Sequence, residues 1–222
     1  MDSSTATRSI VDALTKAIVE HRLHPGTKLA EQKLADHFGV SRTLIRQALF
    51  QLVQKRLIRM EPARGAFVAT PSSDEARQVF AVRRMVEMEM TRSFVRNVTP
   101  EQIKALKDHV AEEKAAVQRG DVAGRTDLLG DFHVRMAELM GNDVLAQILG
   151  ELISRCALIT LMYQSTNAAE HSAEEHSEIL QAIIAKDEKL AVKLMDEHLR
   201  NVEEGLALDR KVPSNDIAMA LA

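Results

Sequence analysis

Residues 31–54 constrain this chain more than any other stretch. Glu31–Phe38 reads as a short helix, and Gly39-Val40 as a tight turn in which Gly39 can take the positive φ that ends a helix cleanly. Ser41 then stands where an N-cap belongs, its hydroxyl free for an orphan backbone N–H. Beyond it, Ile45, Ala48, Leu49 and Leu52 recur at i, i+3, i+4 and i+7, the buried stripe of a helix that runs to about residue 54. Arg42, Thr43 and Arg46 fall off that stripe, in the first turns. Two helices, a short glycine turn and cations opening the second helix are the layout of a helix-turn-helix, whose second helix enters a DNA major groove.

The flanks agree. Residues 57–61 alternate like a strand, Pro62-Ala63-Arg64-Gly65 is a turn, and residues 66–70 alternate again. This predicts a two-stranded wing with Arg64 and Gly65 at its tip, within reach of phosphates or the minor groove. Upstream, a first helix is expected over residues 7–21, ended by His24-Pro25-Gly26. A solvated helical hairpin with scattered arginines is the competing reading, and the joint occurrence of turn, cap, cations and wing speaks against it.

Residues 71–74 read as a linker, with Ser73 or Asp74 free to cap the next helix. From there to residue 210 no strand pattern occurs. Six helices are expected, over residues 74–97, 100–119, 122–140, 142–166, 170–186 and 188–209, with Thr99 as N-cap before Pro100 at the first helical position. The predicted fold is mainly α. Residues 1–70 form a winged helix-turn-helix of three helices plus wing, and residues 75–210 an antiparallel six-helix bundle. The tail, 211–222, is expected to be loose.

Composition suits this division. The chain is 45% apolar but only 3% aromatic, with no Trp, so its cores are aliphatic, as in helix bundles. One cysteine among 222 residues excludes an internal disulfide framework and suits a reducing cytoplasm. The N-terminus has no apolar run, which predicts no signal peptide. The longest uncharged stretch, residues 156–169, is too short to span a bilayer, so no membrane is expected. Residues 1–70 carry 11 Lys+Arg against 6 Asp+Glu; the remainder carries 18 against 26. A basic front and an acidic back suit a DNA-binding head joined to a domain with another task.

That second task centres on histidines. His133, His176 and His198 each fall on the apolar face of a different expected helix. One such His is usually a hydrogen-bonded core residue; three in one bundle also fit a transition-metal site. His109 and His171 look exposed or terminal by the same periodicity. Arg155 lies on the inward line of its helix, and Arg83 lies with Val79, Val82 and Val86, within reach of Glu87. A buried Arg needs a partner, either an internal Glu or the carboxylate of a bound ligand. Tyr163, the only Tyr, is a candidate pocket hydroxyl or a helix-surface residue.

Residues 8–70 resemble the winged helix-turn-helix of the GntR family of bacterial transcription regulators. Pro25-Gly26-Thr27-Lys28-Leu29 is similar to its "PG..L" segment. Leu34-Ala35 with Phe38 to Thr43 is similar to its "LA..LGVSRTPVREAL" core, with Leu44 and Gln47 where the family usually has Pro and Glu. Residues 74–208 resemble the all-helical FCD effector domain of the FadR-like branch. Phe132-His133 with Gly141-Asn142, then Glu175-His176 and His198-Leu199, stand in its signature positions. The resemblance implies a ligand-responsive DNA-binding regulator, not an enzyme, working as a homodimer on a palindromic operator. Ser41, Arg42, Thr43, Arg46, Arg64 and Gly65 would meet DNA. His133, His176 and His198 would hold zinc or nickel. By their placement, Arg83, Arg155 and Tyr163 are the candidates to bind a small organic acid, and the resemblance implies that its arrival relieves repression. The family often adds an Asp ligand four residues before the first His; here that residue is Leu129. Two further readings stay open: a metal-dependent hydrolase fused to a DNA-binding head, and a pure metal sensor.

Overall fold

The caps set the frame of the N-terminal half. In the computed structural model, which describes residues 3–120, 122–163 and 168–208 (without side chains for 3–4, 122–130 and 168–170), α1 spans Ser3–Val19 and α2 spans Glu31–Phe38. Gly39 ends α2 in the left-handed region at φ +63°. The Ser41 hydroxyl then accepts the Leu44 N–H, opening α3, Arg42–Gln54. The stripe behaves as expected: Ile45, Ala48, Leu49 and Leu52 are buried against α1 and the wing.

The wing differs from expectation by one strand. β2, Ile58–Glu61, and β3, Gly65–Val68, pair antiparallel, and β1, Lys28–Leu29, adds to the far edge of β3, giving the order β1-β3-β2. Two residues are too few to show alternation, so β1 has no period to read. The wing turn needs left-handed backbone at Ala63, φ +60°, and at Gly65, φ +95°.

The helical half comprises α4 (Ser73–Asn97), α5 (Pro100–Gln118), α6 (Val122–Leu139), α7 (Asp143–Tyr163), α8 (Ala168–Ile184) and α9 (Glu188–Glu204). The cap of α4 is Ser72, whose hydroxyl accepts the Glu75 N–H, and not Ser73 or Asp74. Thr99 and Gln102 close a capping box ahead of Pro100. α9 stops at Glu204, short of residue 209, and the tail lies outside the described residues. The helices pack as a closed ring, α4 on α9, α9 on α8, α8 on α5, α5 on α6, α6 on α7 and α7 back on α4. Each helix therefore has one face toward a shared middle.

α7 belongs to two cores. Leu152, Cys156, Ile159 and Tyr163 join the bundle, while Leu158 is buried among α1, α3 and wing residues. By length and composition α7 could cross a membrane, but Leu149, Leu152, Ala157, Leu158 and Ile159 are buried within the protein, while Val144 and Ile148 are exposed. Leu158 is 1% exposed, so Leu158→Ala should destabilise the protein by about 2–5 kcal/mol in urea unfolding. A loss well under ~1 kcal/mol would remove Leu158 from the head's core.

Candidate metal centre and DNA-binding face

The middle of the ring is polar, and every helix contributes to it. α6 supplies His133, α8 His176 and α9 His198, all buried. One ligating atom from each lies within 4.8 Å of the others, and the three ring centroids are 4.7–5.2 Å apart. Phe132 stacks on the His176 ring at 4.0 Å and fixes its plane.

Each imidazole is backed by its own carboxylate at Nδ1. Glu113 of α5 lies 3.0 Å from His176 Nδ1, and Glu175 of α8 lies 2.7 Å from His198 Nδ1. Glu87 Oε2 of α4 lies 2.5 Å from His133 Nδ1, out of line for a hydrogen bond. At His176 and His198 the hydrogen-bonded carboxylate holds the proton on Nδ1 and leaves Nε2 as a lone-pair donor. His176 Nε2 and His198 Nε2 then face one another at 3.3 Å. Two lone pairs at that distance repel unless a proton or a cation lies between them. Burial pushes the His133 imidazolium down to about 3 and that of His198 to about 4, so both rings are neutral, the form that binds metal. Burial would raise the acids, but the neighbouring cation and imidazoles prevail. Arg83 and His133 hold Glu87 at about 2, and Glu113 and Glu175 are held below the usual carboxylate range. Three imidazoles with carboxylate partners suit a divalent transition ion, for which they would supply three ligands.

Arg83 completes the middle. It is 3% exposed; its Nε donates to Glu87 Oε1 at 2.7 Å and its Nη1 to Cys156 Sγ at 3.5 Å. Arg83 Nη2, Glu87 Oε2 and Thr91 Oγ1, at i, i+4 and i+8 on α4, are all buried without a hydrogen-bond partner among the described residues. Arg155 and Tyr163 point to other partners. Arg155 donates to Glu75 Oε1 at 2.6 Å, and the Tyr163 hydroxyl donates to Pro71 O in the linker at 3.1 Å. His109 is not exposed as expected; its Nε2 lies 3.2 Å from Glu113 and only 12% of its side chain is exposed. His171 is exposed. Leu129 lies outside the residues whose side chains are described, and Asp131 faces solvent.

On the head, the side chains of Arg42 and Arg46 stand 55% and 61% exposed on the outer face of α3. Both hydrogen-bond to Glu31. Arg64 pairs with Glu61 and lies 5.2 Å above the Phe67 ring. Lys28 of β1 and Arg59 of β2 approach the same ring at 5.9 and 6.0 Å, because both sit opposite Phe67 in the sheet. The basic wing face is thus three cations around one aromatic. Lys28 becomes visible only with the register of β1, and Arg59 with that of β2.

A winged helix-turn-helix joined to a ring of helices around a histidine cluster that could hold a metal is the layout of a DNA-binding transcription regulator with a second, all-helical domain. The bacterial regulatory proteins of the gntR family match residues 6–68, and the FCD domain matches residues 78–201. The chain belongs to the GntR family, in its FCD-bearing branch, and is a regulator and not an enzyme. It is 23% identical over 209 residues to the HTH-type transcriptional repressor RspR of Escherichia coli K12, covering 94% of this chain and 92% of that one. It is 25% identical over 208 residues to the HTH-type transcriptional regulator LutR of Bacillus subtilis, covering 83% and 94%. Among solved structures, E. coli McbR/YncC superposes with a TM-score of 0.78 at 22% identity, covering 88% of this chain and 93% of that one. A GntR transcriptional regulator from Rhodococcus sp. RHA1 superposes at 0.80 and 21% identity, covering 90% and 96%.

Proposed function

We propose that this protein is a cytoplasmic repressor relieved by a small carboxylate, sensed through a divalent metal, zinc or nickel, on His133, His176 and His198. The observation that carries the reading is the pairing of carboxylate-backed imidazoles with the orphan polar atoms on α4. Arg83 Nη2 is a buried cationic donor with no acceptor among the described residues, and an organic acid on the metal would supply one. Cys156 lies against Arg83, so an acid bound by Arg83 would lie beside α7, and α7 reaches the head through Leu158. Effector binding then biases the placement of the head. The relative RspR is a repressor, which supports the sign. A homodimer would present two such heads to a palindromic operator.

In the head, Ser41, Arg42, Thr43 and Arg46 enter the major groove, and Arg64 with Gly65 meets the backbone. Arg64→Ala should weaken binding to all duplexes alike and reduce the salt-dependence slope by about one unit. A change in base preference alone would rule out a backbone role. The sensing half is tested by thermal shift with a panel of mono- and dicarboxylic acids, with and without chelator. A carboxylate should raise the melting temperature of the metal-loaded protein, and not after chelation. Equal shifts in both would remove the metal from the effector site, and no shift with any acid would leave the centre a metal sensor.

A further inference from the structure

The carboxylate of Glu31 lies between the two arginines of the recognition helix. Its Oε2 accepts from Arg42 Nη2 at 2.9 Å, and both its oxygens accept from Arg46 Nε, at 2.9 and 3.0 Å. On a surface that meets DNA, an acid repels phosphate and cancels charge that general DNA binding uses. Attraction to DNA gives no reason for Glu31 to be there; its place in the fold does. Glu31 is the first residue of α2, where a carboxylate suits the positive end of the helix, so the helix and not a loop fixes its place. From there it spans the turn to the first two turns of α3. Its side chain is 24% exposed, beneath arginines more than half exposed. Hydrogen bonds from Arg46, then Arg42, hold its carboxyl below the usual range, so it stays charged at neutral pH.

The atoms used matter. Arg46 engages Glu31 through Nε, which leaves its two Nη nitrogens as a parallel pair. Such a pair matches guanine O6 and N7. A free Arg on an exposed helix must give up rotamer freedom to make that contact, whereas a tethered one has already done so.

We propose that Glu31 is a positioning residue for base recognition, holding Arg42 and Arg46 in register with the groove. The inference rests on the reading of Arg42 and Arg46 as groove contacts. General DNA binding needs only charge, so Glu31 opposes it; base recognition needs orientation, so Glu31 favours it. One substitution therefore moves the two affinities in opposite directions, which a residue that merely stabilised the fold would not do.

The probes are duplexes selected by the wild-type protein from a randomised pool, and the unselected pool itself, titrated at matched salt. Glu31→Gln should bind the unselected pool more tightly, with a salt slope steeper by about one unit, and bind selected duplexes more weakly. The ratio of the two affinities should fall about ten-fold. Glu31→Asp keeps the charge but is one methylene too short to reach both arginines. It should lose the ratio without the gain on unselected DNA, and it carries the comparison alone if Glu31→Gln melts early. In the NMR spectrum of the free protein, the Arg46 Nε–H signal should be protected in the wild type and exchange rapidly in Glu31→Gln. A ratio unchanged or raised in both variants, while Arg46→Ala still loses selected duplexes, overturns the role of Glu31. An Arg46→Ala variant that keeps selected duplexes overturns the underlying groove reading instead.

Discussion

Purified wild-type protein should carry about one transition-metal ion per chain, and His176→Ala should carry almost none. His176 is the most consequential of the three ligands because it sits at the contact. Its Nε2 faces His198 at 3.3 Å, its ring stacks on Phe132, and its Nδ1 is held by Glu113. Removing it takes away one of the three donors and the ring that Phe132 stacks on. The carboxylates make a graded companion. Glu113→Gln keeps the shape but no longer fixes the tautomer of His176, and should weaken metal binding about 10–100-fold. Elemental analysis after dialysis, followed by competition with a chelator of known affinity, reads both. If the wild type emerges metal-free from metal-replete growth, or the His176→Ala protein is as loaded as its parent, the cluster is a hydrogen-bonded core and not a metal centre.

Arg46→Ala should weaken binding to selected duplexes ten-fold or more, in line with the roughly 1–3 kcal/mol that a bidentate Arg–guanine contact contributes. The fold should be untouched, since the Arg46 side chain is 61% exposed and its only described partner is Glu31. The loss should be far larger on selected duplexes than on unselected pool DNA, because only the former use the orientation of the guanidinium. Equal losses on both would make Arg46 a phosphate contact and shift base reading elsewhere on α3.

Much of this was legible in the chain because the relevant signals are local. Gly39 and Ser41 set the turn and the cap within three residues, and the stripe from Ile45 to Leu52 fixed which side of α3 faces out. The three histidines were found because each interrupts an apolar face with 3.6-residue period. Their partners were not legible. Glu113 is 63 residues from His176 in sequence, and only the packing of α5 on α8 brings them together. Glu175 stands beside His176 in the chain but serves His198, since neighbours on a helix point in different directions. Arg155 shows the same limit from the other side. The inward line of α7 was readable, but not that Glu75 in the first turn of α4 would meet it. Likewise β1 has no pattern of its own and exists because β3 offers it an edge.

The double membership of α7 bears on how such regulators can be recombined. A head grafted onto a foreign sensing domain at the linker, near residue 72, would leave behind Leu158, a side chain that its own core is built around. The apparent modularity of the sequence, with two family matches ending at 68 and resuming at 78, hides a piece of the first module 90 residues past that boundary. A working chimera must supply a helix with an equivalent side chain at that seat. Inheritance of the head's stability therefore follows the helix and not the linker.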